Sequence, residues 1–228
     1  MPSGAPVALI LGAGANVGQH VSRAFASKGY RVAIAARSLR EEDSTPDQLQ
    51  IRADFTDPES LAALFDKVGS EIGAPHVVVY NAASVKPHDE KDPLGVALHD
   101  FTRDLAVNTT SLFAAAQQAA RAFKALPKSA SRTFIYTGNC CNEVPFVGLM
   151  DLGVGKSASA HVIQCAAIAY REDGFKFYYA DERNADGSPA FMAIDGPAHG
   201  EFYTELAEGT AQGPWQQTFV KGVGYKKF

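Results

Sequence analysis

Short apolar runs and helical segments alternate along almost the whole chain, and this restricts the fold more than any other feature of the sequence. Val7 to Leu11 is an apolar run ending at Gly12 and reads as a buried strand. Val17 to Lys28 places Val21, Ala24 and Phe25 at helical spacing and stops at Gly29. Strands follow at Arg31 to Ala36 and Gln50 to Ala53. Asp57-Pro58 opens a helix that runs to about Ile72, with Asp57 as cap and Pro58 at the first helical position. His76 to Tyr80 is a strand, Phe101 to Leu126 a long helix ended by Pro127, and Arg132 to Thr137 a fifth strand. Lys156 to Tyr170 is a helix, Phe175 to Tyr179 a sixth strand, Phe202 to Ala207 a short helix and Thr218 to Lys221 a closing strand. Such alternation predicts a doubly wound α/β fold: a parallel sheet of about seven strands with helices on both faces. Strands that are apolar on both sides agree with a sheet covered twice. The 228 residues fit one such domain.

The first strand and first helix are joined by Gly12-Ala13-Gly14-Ala15-Asn16-Val17-Gly18. Gly12 lets the chain turn sharply, and Gly18 lets the helix approach the sheet. Free N–H groups at the helix start, aided by the helix dipole, suit a pyrophosphate. The spacing is one residue longer than the simple dinucleotide fingerprint, but the strand–turn–helix context is the required one. After the second strand stands Arg37-Ser38 rather than an acidic residue. A guanidinium fork and a hydroxyl suit a ribose 2′-phosphate, so the expected cofactor is NADP(H).

Several segments together resemble the short-chain dehydrogenase/reductase superfamily, over Pro6 to about Tyr179. The glycine turn resembles the family's T-G-x-x-x-G-x-G, with Leu11 for Thr and Asn16 for the middle Gly. Asp54, followed by Phe55, stands where the family's acidic residue holds the adenine amine. Asn81-Ala82-Ala83 resembles the N-A-G stretch that shapes the cofactor pocket. Val107-Asn108-Thr109 resembles the mid-helix Asn motif, whose Asn anchors a water in a proton relay. Lys156 stands where the family's Lys bonds the nicotinamide ribose. The resemblance implies a Rossmann-like NAD(P)-binding domain, a small-molecule substrate and a homodimer or homotetramer. The long helix and the helix from Lys156 are the usual dimer faces, and Ala114–Ala116 with Ala119-Ala120 permit close helix approach.

Two departures follow. The family's catalytic Tyr falls on Leu152, four residues before Lys156, and its Ser falls on Asn139. The tetrad therefore reads Asn108–Asn139–Leu152–Lys156, an atypical active site in which Asn139 can polarise a carbonyl or brace a turn. Candidate substitutes for the missing acid are Cys140, Tyr136, Asp151, His161, Tyr178, Tyr179, Asp181 and Glu182, with no choice among them. In place of the usual Pro-Gly after strand six the chain reads Asp181-Glu182-Arg183-Asn184, which suggests a rebuilt substrate loop and a lid over about 180–210. The tail aromatics Trp215, Phe219, Tyr225 and Phe228 are read as packing on the sheet edge or on a partner subunit.

Three functions fit. One is a reductase acting on a small carbonyl, enone or imine compound. The others are a non-redox enzyme (cyclase, isomerase or dehydratase) and an NADP(H)-sensing binding protein. With 21 basic against 25 acidic residues and no Lys/Arg block, nucleic acid is a poor partner. No apolar run reaches membrane-span length, and Met1-Pro2-Ser3-Gly4 does not read as a signal peptide. Three cysteines, two of them adjacent, fit a reduced, cytoplasmic setting. The six histidines form no metal motif, and no G-x-S-x-G elbow occurs.

Overall fold

A computed structural model describes residues 4–228; Met1 to Ser3, part of the segment read above for a signal peptide, lie outside the described residues. Eight strands form one sheet in the order β3-β2-β1-β4-β5-β6-β7-β8. They are β1 (Val7–Leu11), β2 (Arg31–Ala36), β3 (Gln48–Arg52), β4 (Val77–Tyr80), β5 (Thr133–Thr137), β6 (Lys176–Arg183), β7 (Gln216–Val220) and β8 (Gly224–Tyr225). All pairs are parallel except β7 with β8, the closing antiparallel hairpin that adds an eighth strand. The strand order reverses between β1 and β4, and their carboxyl ends open a crevice there. Such a switch point is where open α/β sheets bind ligands.

Helices α1 (Val17–Ser27), α2 (Ser60–Glu71), α3 (Leu98–Leu105), α4 (Ser111–Ala125), α5 (Met150–Ala169) and α6 (Gly196–Glu208) cover both faces. Apolar residues of α2, α4 and α5 form a core with alternate strand residues such as Leu9, Val78, Phe134 and Phe177. Residues of α1 and α6 form the opposite core with Ala8, Ile10, Val79 and Ile135. The fold is Rossmann-like, as the alternation predicts.

Five local expectations need correction. The long helix begins at Leu98, and Ala106–Thr110 forms a π turn between α3 and α4. The helix carrying Lys156 begins at Met150, so Lys156 sits on its second turn. Gly153 and Gly155 disguise that start. Glycine is required at 155, because a Cβ there would stand 2.7 Å from the Asn108 Cβ. Strand β6 extends through Asp181, Glu182 and Arg183, which the charge pattern assigned to a loop. Ion pairing inside the molecule, rather than solvent, accommodates those charges: Arg183 Nε bonds Asp181, and Arg183 Nη2 lies 3.4 Å from Glu143.

The helix read as a lid is a core element: Phe202, Tyr203 and Ala207 of α6 are buried against α1 and the sheet. Residues 184–195 remain as the connecting segment. Lastly, α2 starts at Ser60, and Asp57 caps the preceding turn by accepting from the Glu59 amide. In the tail, Trp215 packs edge-on to Tyr179 and Phe219 stacks on Phe202, whereas Tyr225 and Phe228 stay exposed. No helix among the described residues is long and apolar enough to cross a membrane.

Candidate active site

The glycine turn lies at the carboxyl end of β1. Gly12 has a φ of +97°, and a Cβ there would fall 2.3 Å from the Ala82 nitrogen. Only glycine fits both constraints. A Cβ at Gly18 would meet the Ala13 Cα and the Gly12 carbonyl at 2.6 Å. Asn81 fixes the turn from the next strand, its side-chain amide donating to the Gly12 carbonyl at 2.8 Å. Among the described residues, none of the amides of Ala15, Asn16, Val17 and Gly18 is bonded to an acceptor in the chain. These are the free donors of the α1 start, near the exposed backbone of Gly14.

A 290 Å³ cleft beside the turn is lined by Gly12, Gly14, Arg37, Asp54, Phe55, Asn81, Ala82, Ala83 and Ser84. It brings together most residues expected for the adenosine half. Arg37 is exposed, and no carboxylate of the described residues is within ion-pair distance of it. Its neighbour Ser38 is also exposed. Asp54 accepts from the Thr56 amide at 3.0 Å; this bond, with help from the Arg37 charge, holds its carboxyl below the usual range. Phe55 is buried under Tyr80, and its carbonyl takes the Ser111 hydroxyl. Arg103 also lines the cleft, a residue the sequence reading missed. Asn16, expected in the pyrophosphate loop, uses its side chain elsewhere. It donates to the Ile194 carbonyl and accepts from the Gly196 amide, tying the turn to the start of α6.

A second cavity of 530 Å³ opens at the carboxyl ends of β5 and β6. Val85, Leu149, Leu152, Phe191 and Met192 give it apolar walls, while Asn139, Cys140, Asp181, Glu182 and His199 supply polar groups. Phe191 has a φ of +45°, a strained conformation for a phenylalanine, and packs edge-on to Phe146 near the mouth.

Asn139 both caps and lines this cavity. Its Oδ1 accepts from the Cys141 amide at 3.0 Å, and its backbone is pinned by the Tyr179 phenol, which donates to the Asn139 carbonyl at 2.6 Å. The Nδ2 group has no acceptor in the chain and can serve a ligand oxygen. Lys156 is buried; it donates to the Thr137 carbonyl at 2.8 Å and stands 4.3 Å from the Tyr136 ring centroid. Asn108 is fully buried and grips Ser84 through two bonds, accepting from its amide and donating to its carbonyl. Its own carbonyl, released by the π turn, accepts from the Ser159 hydroxyl at 2.6 Å and from Tyr136 at 3.4 Å.

Among the described residues that line the cavity there is no tyrosine. Tyr136, Tyr179 and Tyr203 are buried nearby, but each phenol is bonded inside the fold, that of Tyr203 to Thr137 at 2.9 Å. Burial pushes the Cys140 thiol up and that of Cys141 to about 11, so neither is a thiolate near neutrality. Asp151 turns away from the cavity. It accepts from the Leu152 amide, and burial together with the facing Asp104 carboxyl raises it. His161 lies outside both cavities.

Asp181 is 1 % exposed. Burial raises its carboxyl to about 6 despite the attraction of Arg183 and Lys156. Glu182 accepts from the Asp195 amide at 2.8 Å, while burial lowers His199 beside it. This group of titratable side chains on β6 and α6 is what sequence reading could not assemble. Among the described residues no set of three or more His, Cys, Asp or Glu is arranged to hold a metal.

A family model described as enoyl-(acyl carrier protein) reductase matches residues 12–178. A short chain dehydrogenase/reductase of Cryptosporiopsis sp. (strain 8999) is 46% identical over 234 residues, covering 98% of this chain and 95% of the relative. Cis-4-hydroxycyclohexanecarboxylate dehydrogenase of Sinomonas cyclohexanicum is 27% identical, covering 81% of this chain and 77% of the relative. Among solved structures, a short-chain type dehydrogenase/reductase from Mycobacterium marinum superposes with a TM-score of 0.77 at 22% identity, over 95% of this chain and 94% of that one. A metagenomic short-chain oxidoreductase in complex with NADP gives 0.78 at 17% identity, over 92% and 96%.

Proposed function

This chain belongs to the short-chain dehydrogenase/reductase superfamily, and we propose that it is an NADP(H)-dependent oxidoreductase that reduces a small, uncharged carbonyl, enone or imine compound. The observation that carries this reading is the pairing of two spaces along one sheet edge. One is a cleft with free helix amides and an unpaired Arg37; the other is a tyrosine-free cavity with apolar walls and polar groups from Asn139 and Asp181. The relative at 46% identity is named as a dehydrogenase/reductase, and the metagenomic neighbour was solved with NADP.

The residues present suit the cofactor. A Cβ at Gly12 would close the turn against Ala82, and the amides of Ala15 to Gly18 are unbonded donors where a pyrophosphate needs them. Arg37 and Ser38 would hold the 2′-phosphate, Asp54 the adenine, and Asn81, Ala82 and Ala83 the floor. Lys156 would reach the nicotinamide ribose by giving up Thr137. When bound, reduced NADP supplies hydride. The protein's own part is then to bind, orient and polarise. Asn139 Nδ2 donates to the substrate oxygen, and the leucine at 152 and the aromatic mouth keep water out.

In this reading the active site works without a tyrosine at 152 or a serine at 139. That suits a substrate already activated toward hydride. The acidic polar groups, with Arg183 already paired, argue against a free carboxylate or phosphate near the reacting carbon. Phe113 on α4, and Val154 and Ile168 on α5, are exposed apolar residues and suit pairing of two copies through these helices. The test is to mix purified protein with NADPH and a panel of neutral ketones, quinones, enones and cyclic imines, following loss of reduced-nicotinamide absorbance. Turnover of at least one neutral substrate, faster with NADPH than with NADH, is expected. Nucleotide binding without oxidation on any of them would overturn the reductase reading.

A further inference from the structure

We propose that Asp181 is the proton donor of this site, giving its carboxyl proton to the substrate oxygen or nitrogen as hydride arrives. The inference rests on the reductase reading above and deepens it.

Geometry selects Asp181. Along β6, Phe177 and Tyr179 pack into the core under α5, while Tyr178 and Ala180 pack into the core under α6. A strand alternates with period two, so Asp181 projects to the α5 side, where Lys156 and the β5–α5 turn lie, and Glu182 to the α6 side. Parallel pairing places Ala180, next to Asp181, opposite Thr137. Lys156 donates to the carbonyl of that same Thr137, close enough for its charge to act on Asp181. Asp181 lines the cavity together with Asn139 and Leu152.

The carboxyl is more than nine-tenths buried, and only its Oδ2 is engaged, by Arg183 Nε. Oδ1 has no partner in the chain. The rival groups are all spent. Glu182 is held by the Asp195 amide and lies 3.4 Å from His199 Nδ1, and that nitrogen also faces the Asp195 carbonyl at 2.8 Å. Asp151 does not line the cavity, and the cysteine thiols hold their protons too tightly.

The step balances as follows. The hydride pair, supplied by a reduced nicotinamide nucleotide, forms a C–H bond at the substrate carbon. The C=O or C=N π pair moves to the heteroatom, and that atom takes the proton from Oδ1. Asp181 is left as a carboxylate between Arg183 and Lys156, whose charges favour it, and water restores the proton. The groups whose charges act on Asp181 are Arg183, Tyr179 and Glu182 on its own strand, and Cys140, Cys141 and Glu143 on the β5–α5 turn. Lys156 acts on it from α5 and Tyr203, across the sheet, from α6. With the carboxyl titrating at about 6, donation is favoured at mildly acid pH and fades above it.

The experiment compares the wild type with Asp181→Asn and Asp181→Glu in two measurements. The first is an infrared pH titration of the protein alone, reading the carboxylic C=O stretch. A band with a midpoint near 6 is expected in the wild type and absent in Asp181→Asn. The second is turnover against pH with the substrate found above. Asp181→Asn should lose about a hundredfold or more in kcat, together with the acid-favoured slope of the pH profile. Its NADPH affinity should stay within about threefold of the wild type, and Asp181→Glu should recover part of the rate. Either of two results overturns the assignment: wild-type infrared titration without a carboxyl near 6, or Asp181→Asn retaining kcat and the pH slope. Both leave cofactor binding and turnover standing. A wild type that neither binds nucleotide nor turns over removes the reductase reading, and this proposal with it. The infrared arm needs no variant to fold and decides on its own against the assignment.

Discussion

Replacing Arg37 by alanine separates the two nicotinamide nucleotides more sharply than any other single change in this chain. The guanidinium lines the cleft beside the glycine turn, exposed and free of any carboxylate within ion-pair distance among the described residues. Its charge is therefore available to a ligand at no cost in broken contacts. A charge-assisted bond to a phosphate is worth roughly 1.5–3 kcal/mol in a protein setting. Exposure to solvent places Arg37 toward the lower end of that span. Converted at about 1.4 kcal/mol per decade, Arg37→Ala should weaken NADPH about ten- to thirtyfold. NADH, which lacks the 2′-phosphate, should move by less than about threefold. Quenching of intrinsic fluorescence gives both dissociation constants. Because the pair is exposed, the NADPH advantage of the wild type should also shrink as salt is raised, since the screening length falls to about 3 Å near 1 M. Equal weakening of both nucleotides would mean that Arg37 supports the loop rather than the phosphate. An unchanged NADPH constant would refute the assignment.

Gly12→Ala drives a methyl group to within 2.3 Å of the Ala82 nitrogen at a φ of +97°. Denaturant unfolding should show a loss of about 1–3 kcal/mol, with nucleotide affinity falling at least about tenfold. Lys176 is buried on β6, pulled down to about 8 by burial, and donates to the carbonyls of Leu206, Ala207 and Gly209 at the end of α6. Lys176→Met should cost about 2–3 kcal/mol in urea unfolding while leaving NADPH affinity unchanged. Asp151 is raised by burial and by Asp104, so its stabilising contribution is present at acid pH and lost as pH rises through its raised value. Asp151→Asn should therefore gain Tm relative to the wild type as pH rises from below the usual carboxylate range. A difference that does not change with pH would contradict this.

Features set by short-range sequence were the legible ones. The turn Gly12–Gly18, the free Arg37, Asp54 and the Asn81–Ala83 stretch meet around one cleft because each directly follows a strand of the same parallel sheet. The second cavity was harder to read. Asp181 and Arg183 look like loop residues until their mutual pairing, two positions apart on one face of β6, is seen. The start of α5 is masked by Gly153 and Gly155, and only the approach of Asn108 explains the second of these. The π turn that frees the Asn108 carbonyl leaves no periodic signal, since its neighbours are helical on both sides. Helix α6 hides its burial behind Gly196, Pro197, His199 and Gly200, which dilute its apolar stripe. What escaped the sequence was therefore long-range polar pairing, which binary patterning does not encode.

The central claim is that one NADP(H) molecule spans both spaces along the carboxyl edge of the sheet. A crystal structure of the protein with NADP bound tests it most directly. The account predicts the 2′-phosphate on Arg37, the pyrophosphate on the amides of Ala15 to Gly18, and the nicotinamide facing the cavity of Asn139 and Asp181. A nucleotide bound with its adenosine away from Arg37, or with its nicotinamide outside that cavity, would contradict it.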